Sequence, residues 1–260
     1  MSSQGELDGR VAVVTGSARG LGRAICERLR AEGAEVLGAD RDGEGLESLE
    51  EALGSERFRG VLLDLTEEGA GEALVEAAVQ RFGGADTLIN CAGIFPSKPA
   101  LKVSRQEWRA VLEVNLDSAF YCARALARHL VDSERRGSIV NIASAAGLAA
   151  RPGVAHYSAS KAGLMMLTKS LALEWAEYGV RVNAVAPGVV ETPGVTETLT
   201  DAAAMYEHEK KIARIPLGRS GGVDEVAEAV LYLASEKSSF VTGHTLVVDG
   251  GYSVGHTFRD

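Results

Sequence analysis

Cysteine is scarce in this 260-residue sequence, blocks of one charge are missing, and no long apolar run occurs. The three cysteines, Cys26, Cys91 and Cys122, are an odd number without CxxC or metal-ligand spacing, which speaks against a disulfide framework. They read as reduced, buried thiols of a cytosolic protein. The five histidines are dispersed and form no HExxH set, so no metal site is expected. A serine hydrolase is disfavoured because no GxSxG elbow is present. No apolar stretch approaches the ~20 residues of a membrane span. MSSQGELDGR lacks the basic stretch and apolar core of a secretory signal, so a cytoplasmic location is expected. Lys and Arg number 27 against 36 Asp and Glu, a net charge of −9. That balance argues against nucleic acid or an anionic membrane as partner.

What is present suits a large core: 46% of the residues are hydrophobic, and the 24% that are charged rule out wholesale disorder. Short apolar runs alternate with helical patterns. Strands are predicted at 10–15, 34–40, 58–65, 86–93, 138–144, 180–188 and 245–251. Helices are predicted at 20–32, 44–53, 67–82, 104–131, 155–178, 199–213 and 223–234. The alternation implies right-handed βαβ crossovers and a mostly parallel sheet of about seven strands, covered by helices on both faces. No low-complexity linker or internal repeat divides the chain, so one domain over 1–260 is expected. Within it, 189–221 is rich in charge and turn formers and reads as a substrate-binding lid.

In such sheets ligands bind beyond the carboxyl ends of the strands. TGSARGLG (15–22) follows the first strand and opens the first helix, with glycines at 16, 20 and 22. This is neither GxGxxG nor a phosphate loop with Lys-Ser/Thr. It still permits a tight turn against a helix N-terminus, which attracts pyrophosphate. Asp40 ends the second strand, where a carboxylate can accept from an adenosine ribose and repel a 2′-phosphate. Arg41 and Arg19 could instead hold that phosphate; on balance the carboxylate favours NAD over NADP. Asp64 could bond the adenine amino group or serve as a helix N-cap acid. In HYSASKAG (156–163), Tyr157 and Lys161 are four apart and share a helical face.

These segments together resemble the short-chain dehydrogenase/reductase family over about residues 8 to 252. TGSARGLG is similar to that family's TGxxxGxG and NCAG (90–93) to its NNAG, with Cys91 replacing an asparagine. Asn115, Ser144, Tyr157 and Lys161 match its catalytic set, and Asn183 with Pro187-Gly188 its NxxxPG segment. The resemblance implies a single Rossmann-type, doubly wound parallel sheet, a nicotinamide cofactor and a homotetramer. Tyr157 would be the general acid/base, its phenol made more acidic by Lys161 and the oxidised nicotinamide. Ser144 would orient the substrate oxygen, and Asn115 would hold a water relaying protons to Lys161.

The implied cofactor set is Gly16, Ser17, Arg19, Gly20, Leu21 and Gly22 in the first turn, then Asp40, Arg41, Asp64 and Leu65. It continues with Asn90, Ala92 and Gly93 after the fourth strand. Tyr157, Lys161, Pro187, Gly188, Val190 and Thr192 complete it. Asn90 could be purely structural and Thr192 an ordinary loop residue. Ile94, Phe95, Leu148, Val154 and Val190 suggest a mostly apolar substrate pocket. Arg151 or Lys98 could bind an acidic substrate or be solvated surface charge. The expected activity is NAD-dependent oxidation of a secondary alcohol. Reduction of a 3-oxoacyl group with NADPH, and a catalytically idle dinucleotide sensor, are the alternatives.

Overall fold

The computed structural model describes residues 5–192 and 200–255. Seven parallel strands form one sheet: β1 (Val11–Thr15), β2 (Glu35–Asp40), β3 (Phe58–Leu62), β4 (Thr87–Asn90), β5 (Gly137–Ile142), β6 (Val180–Pro187) and β7 (Thr245–Val248). Their spatial order is β3-β2-β1-β4-β5-β6-β7. The order reverses between β1 and β4, whose carboxyl ends pair Thr15 with Asn90. A crevice opens outside the strand ends at that reversal, as the topology requires. All five residues of β1 are buried, which is why the segment reads as a continuous apolar run rather than an alternating one.

Helices α1 (Gly20–Ala31), α2 (Gly43–Leu53), α3 (Ala70–Phe82), α4 (Arg105–Leu112), α5 (Ser118–Asp132), α6 (Ala155–Trp175), α7 (Ala202–Ala213) and α8 (Val223–Ala234) complete the described elements. Two apolar clusters sandwich the sheet. One joins Ile25, Leu29, Leu49, Val226 and Val230 from α1, α2 and α8. The other joins Leu74, Leu126, Leu130 and Leu171 from α3, α5 and α6. This is the helix-covered parallel sheet expected from the alternation, in the doubly wound, Rossmann-type arrangement that the resemblance implies. No helix among the described residues is long and apolar enough to cross a membrane.

Two predicted elements differ in an instructive way. The helix expected over 104–131 is interrupted by a π-helical turn, Glu113–Asp117. Within it the Asn115 amide is drawn onto the backbone of Ile94, and the Ser118 hydroxyl bonds back to the Val114 carbonyl at 2.7 Å. Such π turns insert one residue into an α-helix and often lie at functional sites. The strand expected over 58–65 ends at Leu62, because the Asp64 carboxylate accepts from the Thr66 N–H at 3.0 Å and starts a turn. The remaining boundaries shift by one to three residues, within normal fraying of element ends.

Candidate active site

The crevice is a cavity of about 690 Å³ running along the strand ends from β3 to β6. At its β1 end, Gly16, Arg19, Gly20, Leu21 and Gly22 line the wall. Gly16 has φ +68°, and a Cβ there would lie 2.8 Å from the Ala92 Cα. The turns after β1 and β4 therefore meet backbone to backbone. Thr15 secures the seam: its hydroxyl accepts from the N–H groups of Cys91 and Ala92 at 3.0 and 3.1 Å. The N-terminus of α1 has neither a side-chain cap nor an acid in its first turn. Open main-chain donors at a helix N-terminus beside a glycine turn fit a pyrophosphate.

Asp40 is fixed by main-chain donors. One carboxylate oxygen accepts from Ala18 N at 3.0 Å, the other from Arg41 N and Asp42 N at 2.7 and 3.1 Å. The Arg41 guanidinium turns to Asp64 at 3.4 Å. Asp64 also accepts from the Thr66 hydroxyl and N–H, and these two bonds are the main reason its carboxyl lies below the ordinary value. Asp64 thus acts as a local turn acid while still lining the cavity with Leu65.

Two residues expected in the cofactor set lie elsewhere. Ser17 is fully buried and faces away from the cavity: a Cβ on Gly38 would sit 2.6 Å from its Oγ, which has no partner. Asn90 is also buried. Its Nδ2 donates to the Ala119 carbonyl at 3.1 Å and to Asn141 Oδ1 at 2.8 Å, and Asn141 in turn donates to Thr168 at 2.9 Å. This polar chain ties β4 and β5 to α5 and α6 beneath the crevice. The structural alternative for Asn90 is the one observed. Ala92, Gly93, Pro187, Gly188, Val190 and Thr192 all line the cavity.

At the β5 end, Ser144, Tyr157 and Lys161 share the wall. Ser144 follows β5 and caps a 3₁₀ turn, accepting from Ala146 N at 3.1 Å. Tyr157 and Lys161 stand one turn apart on α6, as their spacing demands. The buried Lys161 ammonium donates to the Ile142 carbonyl at 2.7 Å and lies 5.9 Å from the centre of the Tyr157 ring. Burial lowers its pKa to about 8.

The Tyr157 phenol is perturbed by its own burial and by its neighbours. Burial raises the phenol above its ordinary value, while hydrogen bonding to Ser144 and then the charge of Arg151 pull it down.

Asn115 does not line the cavity. Its Oδ1 accepts from Ile94 N at 2.8 Å, while its Nδ2 donates to the Ile94 carbonyl at 2.9 Å and to Ser160 Oγ at 3.1 Å. With both amide hydrogens committed, the side chain braces the loop after β4. Ser160 passes the link on, donating to the Tyr157 carbonyl at 2.7 Å. Gly93 makes room for this junction: a Cβ there would meet Asn115 Oδ1 at 3.3 Å and Lys161 Nζ at 3.5 Å.

Of the expected apolar pocket, Ile94, Phe95 and Val190 line the cavity; Val154 is buried elsewhere and Leu148 projects outward. Phe95 stands edge-on to Tyr157, with ring centres 6.4 Å apart. Lys98 pairs with Glu107 away from the cavity, whereas Arg151 lines it. Cys91, expected to be a buried thiol, is half-buried on the cavity wall, and burial pushes its thiol up to about 12. Val114 and Tyr252 also line the cavity without a signal in the sequence, and His208 and Lys211 do so from within the expected lid, where they were not singled out. The i, i+3 spacing of His208 and Lys211 on α7 was the available signal. The lid expected over 189–221 includes residues 193–199, which lie outside the described residues. Among the described residues, no three His, Cys, Asp or Glu side chains form a group that could hold a metal ion.

A family model described as enoyl-(acyl carrier protein) reductase matches residues 16–253. The chain is 39% identical over 245 residues to the 3-oxoacyl-[acyl-carrier-protein] reductase of Escherichia coli (strain K12), covering 94% of this chain and 98% of the relative. It is 40% identical over 247 residues to the reductase of that name from Thermotoga maritima, with the same coverage. It is 41% identical over 254 residues to 3beta-hydroxysteroid dehydrogenase 1 of Eggerthella lenta, covering 96% of this chain and 95% of the relative. The chain belongs to the short-chain dehydrogenase/reductase family, oxidoreductases that act on CH–OH and keto groups with a nicotinamide cofactor.

Proposed function

We propose that this protein reduces the keto group of a 3-oxoacyl thioester, with NADH as the reductant. The observation that carries the reading is the wall shared by Ser144, Tyr157 and Lys161, with the Tyr157 hydroxyl hydrogen-bonded to Ser144. A phenol so placed gives its proton to a developing alkoxide in ketone reduction. The acyl class draws support from the two reductases matched along nearly their whole length. This moves the reading away from the secondary-alcohol oxidation expected from the sequence. The steroid dehydrogenase, together with apolar walls at Ile94, Phe95 and Val190, favours an alicyclic ketone or alcohol as a second reading.

In this assignment the cofactor supplies the hydride, held by the turn 16–22, Asp40, the 92–93 turn and the 187–192 segment. Asp40 supports NAD, because a carboxylate at that strand end opposes a 2′-phosphate. Arg41, which could offset it, is turned to Asp64. Ser144 Oγ holds the substrate oxygen, and Tyr157 Oη–H donates its proton to that oxygen as negative charge develops there. Lys161 then stabilises the phenolate left behind, as an ammonium below pH about 8. Asn115 keeps Ile94 and the apolar wall in place, which limits water at the reacting carbon. A homotetramer is part of the proposal: Tyr121 on α5 and Met166 and Leu173 on α6 are exposed apolar residues suited to a subunit contact.

The test is steady-state reduction of 3-oxoacyl thioesters and cyclic ketones, followed by nicotinamide absorbance with each cofactor. Faster reduction with NADH on a thioester is the expected outcome. Binding of NADH without turnover on any ketone or alcohol would instead leave a dinucleotide-binding protein.

A further inference from the structure

The charged groups lining the crevice are not evenly mixed. Asp40 and Asp64 stand at the β2 and β3 end, accompanied by Arg19 and Arg41. Toward β5 and β6 the charged or titratable nitrogens are Lys161, Arg151, His208 and Lys211, and no carboxylate among the described residues lines that end. This is against the average of the molecule, whose net charge is −9.

Lys161 is accounted for by Ile142. Among the described residues, none of the other three has an ion-pair partner. Arg151 sits in the loop between β5 and α6, exposed, and forms no ion pair with any described residue. It lines the same cavity as Tyr157, and its charge pulls the phenol's pKa down. The loop is not free to carry it away. Gly153 adopts φ +83°, and its carbonyl accepts from Lys98 N at 2.7 Å, tying the segment to the loop after β4. His208 and Lys211 lie one turn apart on α7 and both turn toward the crevice. Lys98, the other cation near this end, is paired with Glu107. A solvated surface arginine needs neither a tethered loop nor two further nitrogens lining the same cavity from another element.

We propose that the substrate carries an oxyanion, either carboxylate or phosphate, at the end remote from its keto group, and that Arg151 receives it, with Lys211 and His208 facing it from α7. A guanidinium is suited to this because its planar fork matches both anions. A one-signed cavity end also concentrates such a substrate at the site. The inference rests on the keto-reductase reading above and extends it to the part of the substrate that does not react. Arg151 is a specificity residue here, acting on substrate and not on the proton.

Three compounds sharing one 3-oxobutanoyl group separate the outcomes: ethyl acetoacetate, which is neutral, acetoacetate, which ends in a carboxylate, and acetoacetyl-coenzyme A, whose charge lies on phosphates. The expected result is kcat/KM about tenfold or more higher for one of the anions than for the neutral ester, falling as salt rises. Which anion wins identifies carboxylate or phosphate. In Arg151→Gln the ratio of anionic to neutral kcat/KM falls about tenfold, Arg151→Lys recovers part of it, and Lys211→Gln lowers it less. A neutral ester used as well as both anions, or a ratio unchanged by Arg151→Gln, overturns the inference while leaving the reductase reading intact. No turnover of any of the three overturns the 3-oxoacyl reading together with it.

Discussion

At the β1–β2 end of the crevice the working groups belong mostly to the main chain: the uncapped start of α1, the positive-φ turn at Gly16, and N–H groups that fix Asp40. At the β5–α6 end they are side chains, and each is aimed by another. Asn115 holds Ile94 and Ser160, Ser160 holds the Tyr157 carbonyl, and Ile142 holds Lys161. Main-chain recognition tolerates almost any side chain but no added Cβ. Side-chain chemistry tolerates local reshaping but no loss of a functional group. The two ends should therefore fail in different ways.

The largest separation is expected for Tyr157→Phe. Loss of the proton donor lowers kcat about 10³-fold, while NADH affinity, measured by fluorescence titration, stays close to that of the parent protein. Near-parental turnover would take Tyr157 out of the proton path. Gly16→Ala is the converse. The new methyl meets the Ala92 backbone at 2.8 Å from a strained φ, costing about 1–3 kcal/mol. Cofactor affinity and thermal stability both fall, with kcat at saturation much less affected; an unchanged dissociation constant would mean the turn does not approach the ligand.

Asn115→Ala sharpens the comparison from inside the catalytic end. It strands the Ile94 N–H and carbonyl, costing about 1–3 kcal/mol, and kcat falls while NADH affinity holds. Equal losses in both would make Asn115 a general stabiliser. Asp40→Ala is expected to shift the NAD-over-NADP preference by about tenfold, on the order of one close charge contact at a protein surface. Unchanged selectivity would place the preference on other residues.

The smallest effect concerns pH. Lys161 falls from its ordinary 10.5 to about 8 in the folded protein. Between those values the unfolded chain holds the proton and the folded chain does not, so this group adds stability as pH rises through the window. The melting temperature of the parent, relative to Lys161→Met, is expected to rise from pH 8 to 10. A flat difference would show that the ammonium is not desolvated.

Strand and helix order was legible because most strands are compact apolar runs closed by a turn, β3 with Arg59 being the least regular; the spatial reversal between β1 and β4 came only with the family resemblance. The spacing of Tyr157 and Lys161 placed them together for the same reason that any i, i+4 pair meets. The π turn was not legible: its cause is the Ile94 backbone, 21 residues away in sequence. Nor was the fate of Ser17 and Asn90, since a motif gives residue types but not which way a side chain turns at a strand end. Arg151 was left between substrate and solvent, because its setting depends on a loop pinned from outside its own segment.

That pin has a practical reach. The Lys98 N–H to Gly153 carbonyl bond joins the two loops that flank the reacting atoms. Engineering that grafts a new loop after β5, to admit a different ketone, would sever a strut of the loop after β4 as well. The two segments form one exchangeable cassette. Libraries that vary them jointly should yield more folded, active clones than libraries that vary either alone.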